Sequence, residues 1–271
     1  MNDIKRIQNL FRSNEYYPGQ RWQLFSTFLR LSLKRAVARK STDVETVMGF
    51  RVAHINLKTL SQLFDEIFIN AIYYFESETD RPFIIDCGSN IGMSILFFKQ
   101  LFPNAQIIGF EPELNTFISL RKNVSLNSLE AVEVHNKAVS DNDGMISIYT
   151  DTSVSGSLMT SIVGSRDTGT KQDLETVRLS NYINREVDLL KLDIEGAEMM
   201  VLEDLAGTGK LTFIRKMIIE YHHHMDINCD NFSRFLAILE GNGFGYQICS
   251  NYWGPCSNGT FQDILIYAYR K

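Results

Sequence analysis

The heptapeptide Asp86-Cys87-Gly88-Ser89-Asn90-Ile91-Gly92 follows the apolar run Phe83–Ile85 and leads into an amphipathic stretch that stops before Pro103. It reads as a strand, Phe83–Cys87, a glycine turn, and a helix through Ile91–Leu101. In a doubly wound sheet the first strand-to-helix turn borders the ligand crevice, where glycine lets the backbone come close to what binds. Amides at a helix N-terminus there also bind polar groups, such as the carboxylate of an amino-acid cofactor. Three residues separate Gly88 from Gly92, so the dinucleotide spacing G-x-G-x-x-G is missing. A cofactor without phosphates fits this spacing better than a pyrophosphate. Taken alone, a plain tight turn explains the glycines equally well.

Working outward, Gln106–Phe110 is a second strand, and Glu111 closes it about 20 residues beyond the glycine turn, where an acid in such folds accepts ribose hydroxyls. Pro112 fixes the turn that follows. Leu114–Leu126 is the next crossover helix and 131–136 a third strand. Asn136-Lys137-Ala138-Val139-Ser140-Asp141 ends that strand at the same edge, where Asn136 and Ala138 can line an adenine pocket. Short accessory strands, 145–150 and 175–179, flank a Ser/Gly-rich loop, 153–170, expected to be a mobile lid. Val187–Asp193 is a continuous apolar strand ending in charge, 196–206 a helix, 216–221 a strand and 231–242 a helix. The runs 244–249 and 263–269, joined by a short turn-rich stretch, suit an antiparallel pair. The expected fold is therefore α/β: a doubly wound, mostly parallel seven-stranded sheet with an antiparallel final strand. Residues 1–80, which have helical periodicity, form an extension or cap, and 81–271 the cofactor-binding domain.

The chain has 271 residues, with 27 basic against 32 acidic side chains and a net charge of −5. Nothing in that balance suggests general affinity for nucleic acid. Cys87, Cys229, Cys249 and Cys256 show neither C-x-x-C nor zinc spacing, and a reduced, cytoplasmic setting is the simplest reading. The first twenty residues lack the apolar core of a signal peptide, and no apolar run reaches membrane-spanning length.

The run from Phe83 to Glu111-Pro112 resembles the FkbM family of methyltransferases. So do Asn136–Asp141, Leu190-Lys191-Leu192-Asp193-Ile194-Glu195-Gly196-Ala197-Glu198 and Ile219-Glu220-Tyr221-His222, in the same order. The resemblance runs from about Leu60 to the C-terminus. It implies the class I methyltransferase fold, S-adenosylmethionine as donor, and an acceptor oxygen on a sugar, glycan or other secondary metabolite. The residues expected to hold the cofactor are Asp86, Gly88, Ser89, Asn90, Gly92, Glu111, Pro112, Asn136, Ala138 and Asp193.

On the acceptor side, Asp193 ends a buried strand and needs a partner or a ligand. Glu195 and Glu198 open the next helix, where acids also offset the helix dipole. His222, His223 and His224 follow the fifth strand. Neighbours on extended chain face opposite ways, so at most His222 and His224 share a ligand, and no metal is expected. His222 is the expected general base and Asp193 its supporting group. Gly207-Thr208-Gly209-Lys210 resembles a phosphate loop but lacks the first glycine and the terminal Ser/Thr, and reads as a helix terminator. Residues 21–40 hold six bases and no acid among interleaved apolar side chains. A helix packed on its own domain with a solvated basic face is preferred there, with peripheral contact to anionic lipid as the alternative. Residues 57–75 are expected to cap the crevice and select the acceptor. Two competing readings are a nicotinamide-dependent oxidoreductase, which shares the glycine turn and the acid, and a non-catalytic adenosyl-binding module.

Overall fold

Residues 19–37, 43–150, 170–223, 231–250 and 262–271 are described by the computed structural model of this chain. They group into two units. One holds the described parts of Met1–Arg81 with Ser89–Ala105 and Leu114–Val132, the other those of Pro82–Gly88, Gln106–Glu113 and Glu133–Lys271. Residues 153–169 of the loop expected over 153–170, His224, and the turn stretch with Gly254, Pro255 and Gly259 lie outside the described residues, and residue 170 opens a strand.

In the first unit, helix α1 (Arg21–Val37) buries Leu24, Thr27 and Leu31. The antiparallel strands β1 (Val44–Val47) and β2 (Phe50–Ala53) are joined through Met48 and Gly49, both at positive φ. That is the backbone a two-residue hairpin turn requires. Asn56 caps α2 (Leu57–Phe64), its Oδ1 accepting the Thr59 amide at 2.7 Å. The helix widens into a π-turn over Asp65–Ile69. Helix α3 (Met93–Leu101) is apolar nearly all round, so it is buried nearly all round. Phe97 meets Phe68 edge-on at 5.5 Å, and Phe98 meets Phe75 at 6.1 Å. Helix α4 (Leu114–Leu126) carries Asn123, whose buried amide accepts from the Ala53 N–H at 2.6 Å and donates to the Ala53 and Ile91 carbonyls at 2.9 and 2.7 Å.

The main sheet uses β3 (Phe83–Cys87), β4 (Gln106–Phe110) and β5 (Val132–His135). Next in the chain come β6 (Ala138–Ser140), β7 (Gly144–Thr150) and β8 (Thr170–Arg178), which form a separate three-stranded sheet ordered β6-β8-β7. The main sheet resumes with β9 (Val187–Leu192), followed by helix α5 (Glu198–Gly207), β10 (Ile214–His223), helix α6 (Phe232–Gly241), β11 (Phe244–Ser250) and β12 (Gln262–Arg270). Its order is β11-β12-β10-β9-β3-β4-β5. β3 pairs in parallel with β4 and β9, and β9 with β10, whereas β12 runs antiparallel to both β10 and β11. This is the mostly parallel, Rossmann-like α/β sheet expected from the sequence, with its final strand reversed. The reversed strand is inserted beside β10, which leaves β11 at the edge. Central β9 is buried on both faces, and for that reason it reads as one apolar run. Because β3, β4, β9 and β10 point the same way, Gly88, Glu111, Asp193 and His222 come out at one edge of the sheet.

The Asn123 clamp yields a stability test within the first unit. Asn123→Ala should cost about 3 kcal/mol, at about 1 kcal/mol for each hydrogen bond removed. Urea denaturation with an unchanged midpoint would refute the importance of this clamp.

Candidate active site

Three parallel strands, β4, β3 and β9, bring their ends together through backbone contact. The Asp193 amide donates to the Cys87 carbonyl at 3.1 Å, and the Gly88 amide to the Phe110 carbonyl at 3.0 Å. Gly88 has φ +84, and a Cβ there would overlap the Asp193 carbonyl oxygen. Glycine is thus required at this position by the neighbouring strand end as well as by backbone conformation. Ser89, Asn90 and Gly92 continue the turn in the first unit. Gly92 (φ +90) donates to the Ser89 carbonyl at 2.8 Å, and Asn90 stands at φ +50 with its side chain accepting the Ile91 amide.

Beneath the Gly88–Asp193 contact lies a buried ammonium. Lys191 is 1% exposed in the middle of an apolar strand, and a lysine is almost never so buried unless paired. Its Nζ lies 3.1 Å from Asp86 Oδ1 and 3.4 Å from Asp193 Oδ2, and donates to the Gly88 carbonyl at 2.9 Å. Burial alone would lower the Lys191 pKa, but the Asp86 and Asp193 carboxylates override it and raise it. Cys87, buried beside Asp86, has its thiol pushed up by burial and by that carboxylate, so it stays neutral. In the sequence Lys191 is one letter of a longer motif and carries no role of its own. The signal available was the one charged side chain interrupting the apolar run Leu189–Leu192.

Glu111 is buried at the end of β4. Its amide donates to the His135 carbonyl at 3.0 Å, and its carboxylate accepts the Glu113 amide at 2.9 Å. Asn136, expected to line the adenine pocket, has a defined task of another kind: its Nδ2 donates to the carbonyls of Glu111 and Pro112 at 2.9 and 2.8 Å. It braces the turn that presents Glu111. Ala138 is buried at the start of β6.

On the other side of Asp193, Glu195 and Gly196 both have positive φ, at 53° and 102°. For glutamate that backbone is uncommon and is held by its surroundings. Glu198, buried in the first turn of α5, supplies the hold. Its Oε1 accepts the Ile194 and Gly196 amides at 3.3 and 3.0 Å and lies 2.8 Å from Nδ1 of His222. Glu198 is therefore an internal brace of loop and histidine, beyond any effect on the helix dipole.

His222 and Glu220 leave the same face of β10, while Tyr221 goes to the other, against Phe232 and Phe235. Nε2 of His222 stands 3.4 Å from Glu195 Oε2. Burial alone would lower the His222 pKa, but Glu198, Glu195 and Asp193 outweigh it and raise it to about 10. Burial raises the Glu195 pKa to about 8, against the pull of His222, and raises those of Glu220 and Asp263 as well. At neutral pH His222 is thus an imidazolium, which donates and does not accept. Two donor sets, Asp193–Glu195–His222 and Glu220–His222–Asp263, each bring their ligand atoms within 4.8 Å of one another, close enough to surround a cation. Gly207–Lys210 ends α5 and turns into the next element, with Gly209 at φ +69.

A Rossmann-like sheet with a glycine turn after its first parallel strand and acids at its carboxyl edge is the architecture of the class I methyltransferases. The Methyltransferase FkbM domain matches residues 86–247, and the chain belongs to that family. Methyltransferase 1 of Beauveria bassiana is 27% identical over 214 residues, covering 70% of this chain and 83% of that protein. The 31-O-demethyl-FK506 methyltransferase FkbM of Streptomyces tacrolimicus is 28% identical over 242 residues, covering 75% and 90%. The 2-O-methyltransferase NoeI of Sinorhizobium fredii is 28% identical over 162 residues, covering 53% and 65%. The activity class is methyl transfer.

Replacing Lys191 by methionine tests the centre of this arrangement. Lys191→Met leaves Asp86 and Asp193 without their shared cation, and breaking a buried pair in this way costs about 3–5 kcal/mol. Denaturant unfolding should show that loss. A variant as stable as the native chain would mean that the ammonium does not organise the edge.

Proposed function

We propose that this protein transfers a methyl group from S-adenosylmethionine to a hydroxyl of a sugar, glycoconjugate or other small secondary metabolite. The observation that carries this reading is the charge at the carboxyl edge. Asp86, Asp193, Glu195, Glu198, Glu220 and Asp263 gather there with two basic groups, Lys191 and His222; the pKa values of Glu195, Glu220 and Asp263 are raised, and a cation bound beside them draws these three into the charged form. Such a field favours a cationic sulfonium and disfavours the pyrophosphate of a nicotinamide dinucleotide. The oxidoreductase reading is weakened on that ground. The names of two relatives, a 31-O-demethyl-FK506 methyltransferase and a 2-O-methyltransferase, support oxygen as the acceptor atom.

Bound S-adenosylmethionine would supply an electrophilic methyl group from a positively charged sulfur, which keeps the electron pair of the broken carbon–sulfur bond and leaves as a neutral thioether. Glu111 accepts hydrogen bonds from the ribose hydroxyls, in a turn braced by Asn136 and Pro112. Gly88 keeps the backbone clear beside Asp86, and Ala138 adds a small apolar wall. Ser89, Asn90 and Gly92 are assigned to the donor on the motif they share with Gly88. The division into an extension, 1–80, and a methyltransferase domain, 81–271, belongs to the same proposal; the two compact units are drawn differently, with Ser89–Ala105 and Leu114–Val132 grouped with the described N-terminal residues. Cys87 and Cys249, both free thiols, support the expected reducing, cytoplasmic setting.

For the acceptor, the expected assignment of His222 as a neutral base changes. Its Nδ1 is engaged by Glu198 and it carries a proton up to about pH 10. We assign the proton-accepting role to the Glu195 carboxylate. His222 beside it stabilises the charged form, and Asp193, held by Lys191, orients the acceptor or the donor. The proton leaves the acceptor hydroxyl for Glu195 as the oxygen gains the methyl group, so Glu195 must be deprotonated first. Turnover should therefore rise with pH and level off above about 8. Glu195→Gln should lower kcat by roughly 10²–10⁴-fold and remove the rising limb. Mass spectrometry of glycosides and polyketides incubated with enzyme and donor identifies the acceptor by its gain of a methyl group and then supplies the assay. A Glu195→Gln enzyme with native turnover and the native pH profile would overturn this assignment. Absence of methyl gain on every hydroxyl acceptor, with gain on nitrogen or carbon instead, would overturn the acceptor class.

A further inference from the structure

Helix α1 has two apolar faces, and only one of them is used within its unit. Leu24 and Leu31 are fully buried, and Thr27 lies between them at the β1–β2 turn, its Oγ1 accepting the Met48 amide at 3.5 Å. On the opposite side Trp22, Phe25, Leu29 and Leu33 are 81%, 43%, 46% and 56% exposed. At 3.6 residues per turn these four fall within a sector of roughly 80° and form a stripe about 16 Å long. The outward face is thus apolar, where the sequence pattern favoured a solvated basic one. Scattered exposed leucines mean little, but a continuous stripe of Trp, Phe and two Leu on one helix marks a contact surface.

Charge identifies what the stripe meets. Between Arg21 and Lys40 the sequence has Arg21, Arg30, Lys34, Arg35, Arg39 and Lys40 and no acid. Arg30 and Lys34 reach the Thr46 carbonyl and the Glu45 carboxylate, while Arg35 is exposed. Two copies meeting through this face would bring two wholly basic helices together, which like charges oppose. An anionic lipid surface offers the complementary charge together with an apolar layer for the stripe, and tryptophan prefers that boundary. No helix among the described residues is long and apolar enough to cross a membrane. We propose that α1 docks in the plane of an anionic membrane surface through Trp22, Phe25, Leu29 and Leu33. This inference does not depend on which methyl acceptor the enzyme uses.

The test is sedimentation of the full chain with vesicles of phosphatidylcholine alone or mixed with phosphatidylglycerol. The chain should co-sediment with the mixed vesicles and be released by added salt. In a Trp253→Phe background, Trp22 fluorescence should shift to the blue on binding. The double substitution Leu29→Glu with Leu33→Glu alters only exposed positions, so its thermal melting and its donor binding should match the native chain. Its partition onto mixed vesicles should fall roughly tenfold or more. Equal partition of native and substituted chains would overturn the proposal, as would no binding to either vesicle. So would a concentration-dependent dimer that the double substitution dissolves, since a second copy would then be the partner.

Discussion

A buried ammonium flanked by two carboxylates organises the carboxyl edge of this sheet. Lys191 Nζ lies between Asp86, at the end of β3, and Asp193, just past β9. It also holds the Gly88 carbonyl, so one cation pins both strand ends and the turn between them. Charges so far from water are costly unless paired and hydrogen-bonded, which makes their mutual position stringent. Gly88 then has no room for a side chain, because the Asp193 carbonyl occupies that space. The glycine turn and the charged strand end are therefore parts of one joint.

The joint also sets the electrostatics of what lies above it. Lys191 is spent on Asp86 and Asp193, and His222 is spent on Glu198 and Glu195. Glu220 and Asp263 add further carboxyls whose pKa values burial raises, and a cation bound beside them restores their charge. Such an edge welcomes a compact cation, which is the charge type of a sulfonium. The strained Glu195-Gly196 backbone, braced by Glu198, fits the same picture, because strain of this kind persists only where the surroundings enforce it.

Periodicity and turn chemistry make most of the sheet legible in the sequence. Gln106–Phe110 and Leu114–Leu126 are found at the expected residues and most other expected elements lie within two residues of expectation, whereas the β1–β2 hairpin stands inside residues 1–80, which read as helical throughout. β8 begins at Thr170, well before residue 175; its early residues are polar and follow a Ser/Gly-rich stretch, so no apolar alternation marks that start. Sequence patterns tell which face a residue occupies but not its partner there. Lys191 and Asp86 are 105 positions apart, and Glu198 reaches His222 from another element, so neither pairing leaves a local trace. For the same reason His222 reads in the sequence as an ordinary histidine with a near-neutral pKa, when its neighbours keep it charged. The two apolar faces of α1 are both present in the pattern, but only packing shows which one is covered.

That the carboxyl edge is a site for a cationic adenosyl donor is tested most directly by calorimetric titration. The native chain should bind S-adenosylmethionine with micromolar affinity and should not bind NAD. Glu111→Ala should weaken donor binding by about 1.5–3 kcal/mol for each ribose hydrogen bond lost to the charged group. Tight binding of NAD, or an affinity for S-adenosylmethionine unchanged in Glu111→Ala, would contradict that role for the edge.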